Sequence, residues 1–146
     1  MFKDEITVTG NLNVILVDQM GLGKEEQYFD NLVVTAGKGY IASRMKDATA
    51  TAMSHMAIGT GTTAAAANQT TLVTEANRQA LTSTTVSGAA VTYSATFGAG
   101  NGTGAITEAG LFNASSGGTM LCRTVFSVIN KGAADTLTVS WTVTVS

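Results

Sequence analysis

His55 is the only histidine of the chain and Cys122 the only cysteine, and this limits the chemistry the sequence can support. A zinc centre draws three or four ligands from His, Cys and carboxylates, and one of each with no clustered acids leaves it short. A Ser-His-Asp triad would have His55 as its sole base, and no Gly-x-Ser-x-Gly elbow accompanies it. His55 sits between Met53-Ser54 and Met56, which reads as a structural or interfacial position. Cys122 follows Met120 and Leu121, the setting of a buried structural thiol, and a lone cysteine forms no intrachain disulfide.

Two glycine-rich stretches fail as nucleotide sites. Gly21-Leu22-Gly23-Lys24 lacks the leading glycine of a phosphate loop, and Glu25 stands where Ser or Thr should hold magnesium. The run from Gly98 to Gly104 precedes a strand pattern, whereas a dinucleotide fingerprint opens a helix. The charges with most to say are Glu75, Arg78, Glu108 and Arg123, rare ions in otherwise neutral β sequence. Glu108 alternates in step with Ile106 and Phe112, so its carboxylate faces inward and needs a partner. Arg78 or Arg123 on a neighbouring strand would serve, making a structural ion pair. A glycosidase-like acid pair would need a second carboxylate close by. No catalytic, cofactor or metal site is expected, and the protein is read as a non-enzyme.

The elements that position these residues are mainly strands. Leu137, Val139, Trp141, Val143 and Val145 interleave with Thr and Ser, the period-2 signature of a strand with one buried face. Further strands are expected at residues 6–9 and 12–17, with Gly10-Asn11 breaking them, and at 53–58, 78–86, 91–97, 105–114 and 119–128. Ser115-Ser116-Gly117-Gly118 reads as a tight hairpin connection. One short helix is expected over residues 36–46, with Thr35 as its N-cap and Tyr40, Ile41, Arg44 and Met45 as its stripe. Residues 21–30 and the alanine-rich stretch 62–69 read as loops. The expected fold is an antiparallel β-sandwich in a single domain, residues 1–146. Residues 53–146 form its core, and residues 1–35 form an N-terminal arm with strands that contacts partners.

Charged residues make up only 12% of the 146, about half the usual share of ~25%. A surface of Thr, Ser, Gly, Asn and Ala packs closely against a partner because few charges must be desolvated. Eight scattered Lys and Arg against ten Asp and Glu argue against nucleic acid. No apolar run spans a bilayer, and the start of the chain lacks the pattern of a signal peptide. The Asn-x-Thr/Ser triplets at Asn68, Asn101 and Asn113 are therefore compositional accidents. There is no proline to blunt an edge strand, so partner chains are expected to cover the edges.

The segment from about residue 56 to 145 resembles small virion structural proteins of tailed bacteriophages. The residues that carry the likeness are Met56-Ala57-Ile58-Gly59-Thr60-Gly61 and Glu75-Ala76-Asn77-Arg78. Ala105-Ile106-Thr107-Glu108-Ala109-Gly110-Leu111-Phe112, Arg123-Thr124-Val125-Phe126 and Ile129-Asn130-Lys131-Gly132 continue it. Similar stretches occur in tail-fibre and tail-collar modules. The resemblance implies a head decoration (cement) protein on the capsid exterior, assembled in the host cytoplasm. Its partner would be the major capsid protein, and it would self-associate, with a trimer favoured. The absence of heptads and long repeats, in a chain read as short and complete, favours decoration over the alternative, a tail-fibre, collar or baseplate component bound to tail proteins. Contacts are expected first at Phe2, Lys3, Asp4, Glu5 and Ile6, then at Leu22, Lys24, Glu25, Tyr28 and Phe29, and in the loop at 62–69.

Overall fold

A computed structural model describes residues 4–46 and 50–146. In chain order the elements are β1 (Val8–Val17), β2 (Gly23–Val33), α1 (Thr35–Arg44), β3 (His55–Gly59), β4 (Glu75–Ala80), β5 (Ser83–Ser87), β6 (Ala90–Phe97), β7 (Gly104–Phe112), β8 (Met120–Lys131) and β9 (Thr136–Val145). The protein is mainly β, with one short helix. All the strand pairs are antiparallel, in the order β4-β3-β7-β8-β2-β1-β9-β6-β5, and the sheet curls into a half-barrel.

Strand β2 turns the corner between the two halves. It pairs with β1 from Gly23 to Asn31, then with β8 only at Leu32↔Arg123 and Val33↔Cys122. The halves face each other across one main core. Leu12, Val14, Leu137 and Trp141 come from one side, and Met56, Ile58, Ile106 and Leu111 from the other. The alternation on β9 buries Leu137, Val139, Trp141 and Val143, each contributing roughly 1.5–3 kcal/mol relative to exposure.

Four local expectations are corrected. Residues 8–33 are not an arm: β1 lies between β2 and β9, and β2 between β8 and β1, at the middle of the sheet. Gly10-Asn11 does not break β1, because the missing side chain of Gly10 makes room for its cross-strand partner Asn31. A Cβ there would stand 2.0 Å from Asn31 Oδ1. Residues 23–30 are strand rather than loop. Their outward positions are Lys24, Glu26, Tyr28 and Asp30, and their inward ones include Glu25 and Gln27, so polarity is the same on both faces. The strand expected at 78–86 is two. Leu81 and Thr82 carry the chain from one edge of the sheet to the other, with their N–H groups donated to the carbonyls of Ser54 and Ser94.

Helix α1 begins without the expected Thr35 cap. Val34 occupies the cap position with no side-chain hydrogen bond, and Thr35 is the first helical residue. Its N–H is donated instead to the carbonyl of Ala67 at 2.8 Å, so a neighbouring loop satisfies a donor the helix leaves open. Among the described residues no helix is long and apolar enough to cross a membrane.

The two helix glycines give a test of packing against propensity. Glycine in a helix interior costs about 1 kcal/mol relative to alanine. Nothing lies within 4 Å of a Cβ added at Gly39, but one at Gly37 would sit 2.0 Å from the backbone oxygen of Leu121. Gly39→Ala is expected to stabilise by up to about 1 kcal/mol, while Gly37→Ala destabilises by about 1–3 kcal/mol as α1 is pushed off β8. Urea melts of the two variants read this difference in sign.

Candidate functional site

The connection between β3 and β4, residues 60–74, lies on the face of the sheet turned away from the main core. Leu72 closes a second small cluster there with Val34, Ala57, Phe112 and Met120. Two fully buried ions hold the loop down, Glu108 on β7 and Arg123 on β8.

Glu108 Oε1 accepts from the N–H of Gly61 at 3.0 Å and of Thr74 at 2.7 Å. Its Oε2 accepts from the N–H of Val73 at 3.0 Å and from Arg123 Nε and Nη2 at 3.1 and 2.7 Å. Arg123 Nη1 reaches the middle of the loop, donating to the carbonyl of Thr63 at 3.0 Å and to Gln69 Oε1 at 2.9 Å. Thr107 adds a bond from its hydroxyl to the carbonyl of Gly61 at 2.8 Å. Close approach requires glycine: a Cβ at Gly61 would fall 2.5 Å from Glu108 Oε1. Burial by itself pushes the Glu108 carboxyl up. The Thr74 N–H, the Arg123 guanidinium and the N–H groups of Val73 and Gly61 outweigh it and hold the group below its ordinary value of 4.5. The role of the carboxylate is to fix a loop.

Register explains which arginine Glu108 takes. Arg123 stands opposite Gly110 on the adjacent strand, one step along from Glu108, whereas Arg78 stands opposite Ala57, two strands away from β7. Arg78 pairs with Glu75 at 2.6 Å instead and lies over the Phe112 ring, 3.8 Å from its centroid. Its Nη1 donates to the carbonyls of Ala114 and Gly117, tying the β7–β8 turn to β4.

The residues expected to make contacts scatter. Phe2 and Lys3 lie outside the described residues. Asp4, Glu5 and Ile6 are exposed ahead of β1, and Leu22 is exposed in the β1–β2 turn. Lys24 is tied to Asp135 at 2.7 Å, and Glu25 accepts from the side-chain amide of Gln27. Tyr28 is exposed and donates to Glu26 at 2.9 Å, a bond to a carboxylate that raises its pKa. Phe29 turns inward, partly buried, and stacks on Phe126, with ring centroids 4.7 Å apart. In the loop at 62–69, Thr62, Thr63, Ala64, Ala66 and Ala67 are exposed while the backbone beneath them is clamped. His55 shares a 2.8 Å hydrogen bond with the Ser54 hydroxyl, and burial pushes the Cys122 thiol up, away from thiolate chemistry. Among the described residues no three His, Cys, Asp or Glu come together as metal ligands.

Sequence reasoning missed a second ionic knot. Lys131 is buried, donates to the carbonyl of Gly98 at 2.8 Å, and has its pKa lowered by that burial. Asp135 beside it accepts from Lys24 and from the N–H of Gly132 at 2.7 Å. The available signal was a lysine and an aspartate set in a glycine- and alanine-rich turn.

Glu108→Gln keeps the shape of the side chain and removes its charge, leaving Arg123 buried and unpaired. A loss of about 3–5 kcal/mol is expected in urea unfolding. In hydrogen exchange the amides of Gly61, Val73 and Thr74 should lose protection more than those of β9. The folded Glu108 carboxyl titrates below its unfolded counterpart. Its stabilisation is therefore complete above the ordinary glutamate range and is lost as pH falls through the folded value. The acid limb of a stability-against-pH curve should accordingly be flatter in Glu108→Gln than in the wild type.

Comparison with known proteins gives one match. Residues 25–146 match the model of the phage tail-collar fibre protein, N-terminal family. No curated protein and no solved structure matches the chain. The matched stretch takes in β2 from Glu25 onward, the clamped loop, the Glu108–Arg123 pair, Lys131 and Asp135, and every later strand, while Lys24, the partner of Asp135, lies just ahead of it. The chain belongs to the phage tail-collar fibre protein, N-terminal family, and is a bacteriophage virion structural protein.

Proposed function

We propose that this protein is a structural part of the phage tail, a fibre, collar or baseplate component that binds neighbouring tail proteins and catalyses no reaction. The family match over residues 25–146 carries this reading. It favours the tail alternative over decoration of the capsid, which rested on the brevity of the chain and its lack of repeats. The geometry supports a role in holding. The most deeply buried ions are engaged in fixing backbone, and the surface over them is a rigid, uncharged loop of small side chains. A surface already ordered loses little conformational entropy when a partner covers it.

Immunogold electron microscopy of the parent virion, with antibody raised to the purified chain, tests the reading. Label at the tail or its tip is the expected outcome. Label spread over the head would return the protein to capsid decoration.

A further inference from the structure

Three of the most exposed large apolar side chains lie at opposite ends of β1. Met20 is 78% exposed and Leu22 65%, in the turn that follows the strand, and Ile6 is 76% exposed just before it. The turn is firmly built. Asp18 Oδ1 accepts the N–H of Met20 at 2.8 Å and of Leu22 at 3.0 Å. The Asp18 N–H is donated to the carbonyl of Leu22, and Gly21, at φ +79°, donates to the carbonyl of Asp18. Two large apolar groups are thus fixed outward, where water gains nothing from them.

At the other end, Ile6, Val8 and Ile41 line a groove of about 430 Å³ between the start of β1 and α1. Lys38 stands on its rim with no ion-pair partner among the described residues. The groove offers three apolar side chains, with Thr7 and Thr9 between them and the positive charge of Lys38 beside them, and the turn offers two apolar side chains with the carboxylate of Asp18 beside them. The two match in polarity and oppose in charge. The ten residues of β1 hold them about 33 Å apart at ~3.3 Å per residue, so a chain cannot fill its own groove.

We propose that Met20 and Leu22 of one copy seat in the Ile6, Val8 and Ile41 groove of a second copy, with Asp18 facing Lys38. The contact is heterologous, so successive copies join head to tail and give a ring if the rotation closes or a filament if it does not. This holds wherever on the virion the protein sits.

Light scattering after gel filtration, across a concentration series, should show species heavier than the 14.9 kDa monomer. Leu22→Asp and Ile6→Asp change exposed side chains, so both variants should keep the wild-type melting curve, and each alone should be monomeric. Mixed in equal amounts they should form a dimer and stop there, because one variant retains the groove and the other the turn. Met20→Asp and Lys38→Glu repeat the test with independent substitutions. A wild type that stays monomeric throughout, a mixture that fails to dimerise, or variants that assemble like the wild type would each overturn the proposal.

Discussion

Burying two charges costs several kcal/mol for each ion, and attraction between them recovers this only when the remaining donors and acceptors are also satisfied. Glu108 and Arg123 satisfy theirs with the loop at 60–74, and the loop has its backbone satisfied by them. The dependence is mutual. Without the ion pair the loop has little apolar surface to dock, chiefly Leu72, and without the loop the pair would be left in a crevice with its hydrogen bonds unmade. Helix α1 is drawn into the same arrangement, since its first N–H is satisfied by Ala67 of that loop and its Gly37 rests on the backbone of Leu121 in β8. One electrostatic contact therefore fixes the exposed face, and through Ala67 the start of the helix.

The corner strand has a complementary task. By leaving β1 for β8 at Leu32, β2 lets one sheet cover both sides of a core, which spares the fold a second pair of free edges. It carries acidic residues on both faces because little of it is sealed. The inward Glu25 and Gln27 bond to each other, Lys24 reaches Asp135, and Phe29 supplies the apolar anchor by stacking on Phe126.

What the sequence disclosed follows from how strongly each element depends on water. Strand β9 has one dry face and one wet face, and its alternation reads directly from Leu137 to Val143, whereas β7 and the first half of β8 are buried on both faces. Glu108 was legible as an acid in need of a partner because it alternates with Gly110 and Phe112, but a shift of register between Ile106 and Glu108 puts Ile106 in the main core and Glu108 on the opposite face of β7. Which arginine it takes depends on strand order and register, and these are properties of the assembled sheet. Strand β2 was opaque because its two faces have the same polarity, and Gly10-Asn11 looked like a break because the cross-strand Asn31 that fills the space is distant in sequence. The coarse functional class was legible through resemblance. The preference for head over tail rested on chain length, which constrains neither.

The pairing of β1 with β9 sets the timing of folding. Val8 stands opposite Val145 and Val17 opposite Thr136, so β1 waits for β9 before its sheet can close. Joining ends so far apart in sequence costs loop-closure entropy before any contact repays it, and such topologies fold slowly. Until β9 leaves the ribosome, Leu12, Val14 and Leu16 have no dry face to occupy and β1 offers an open edge. An unpaired β1 is a template for a strand of another chain, so mispairing is most favoured in the interval before β9 arrives.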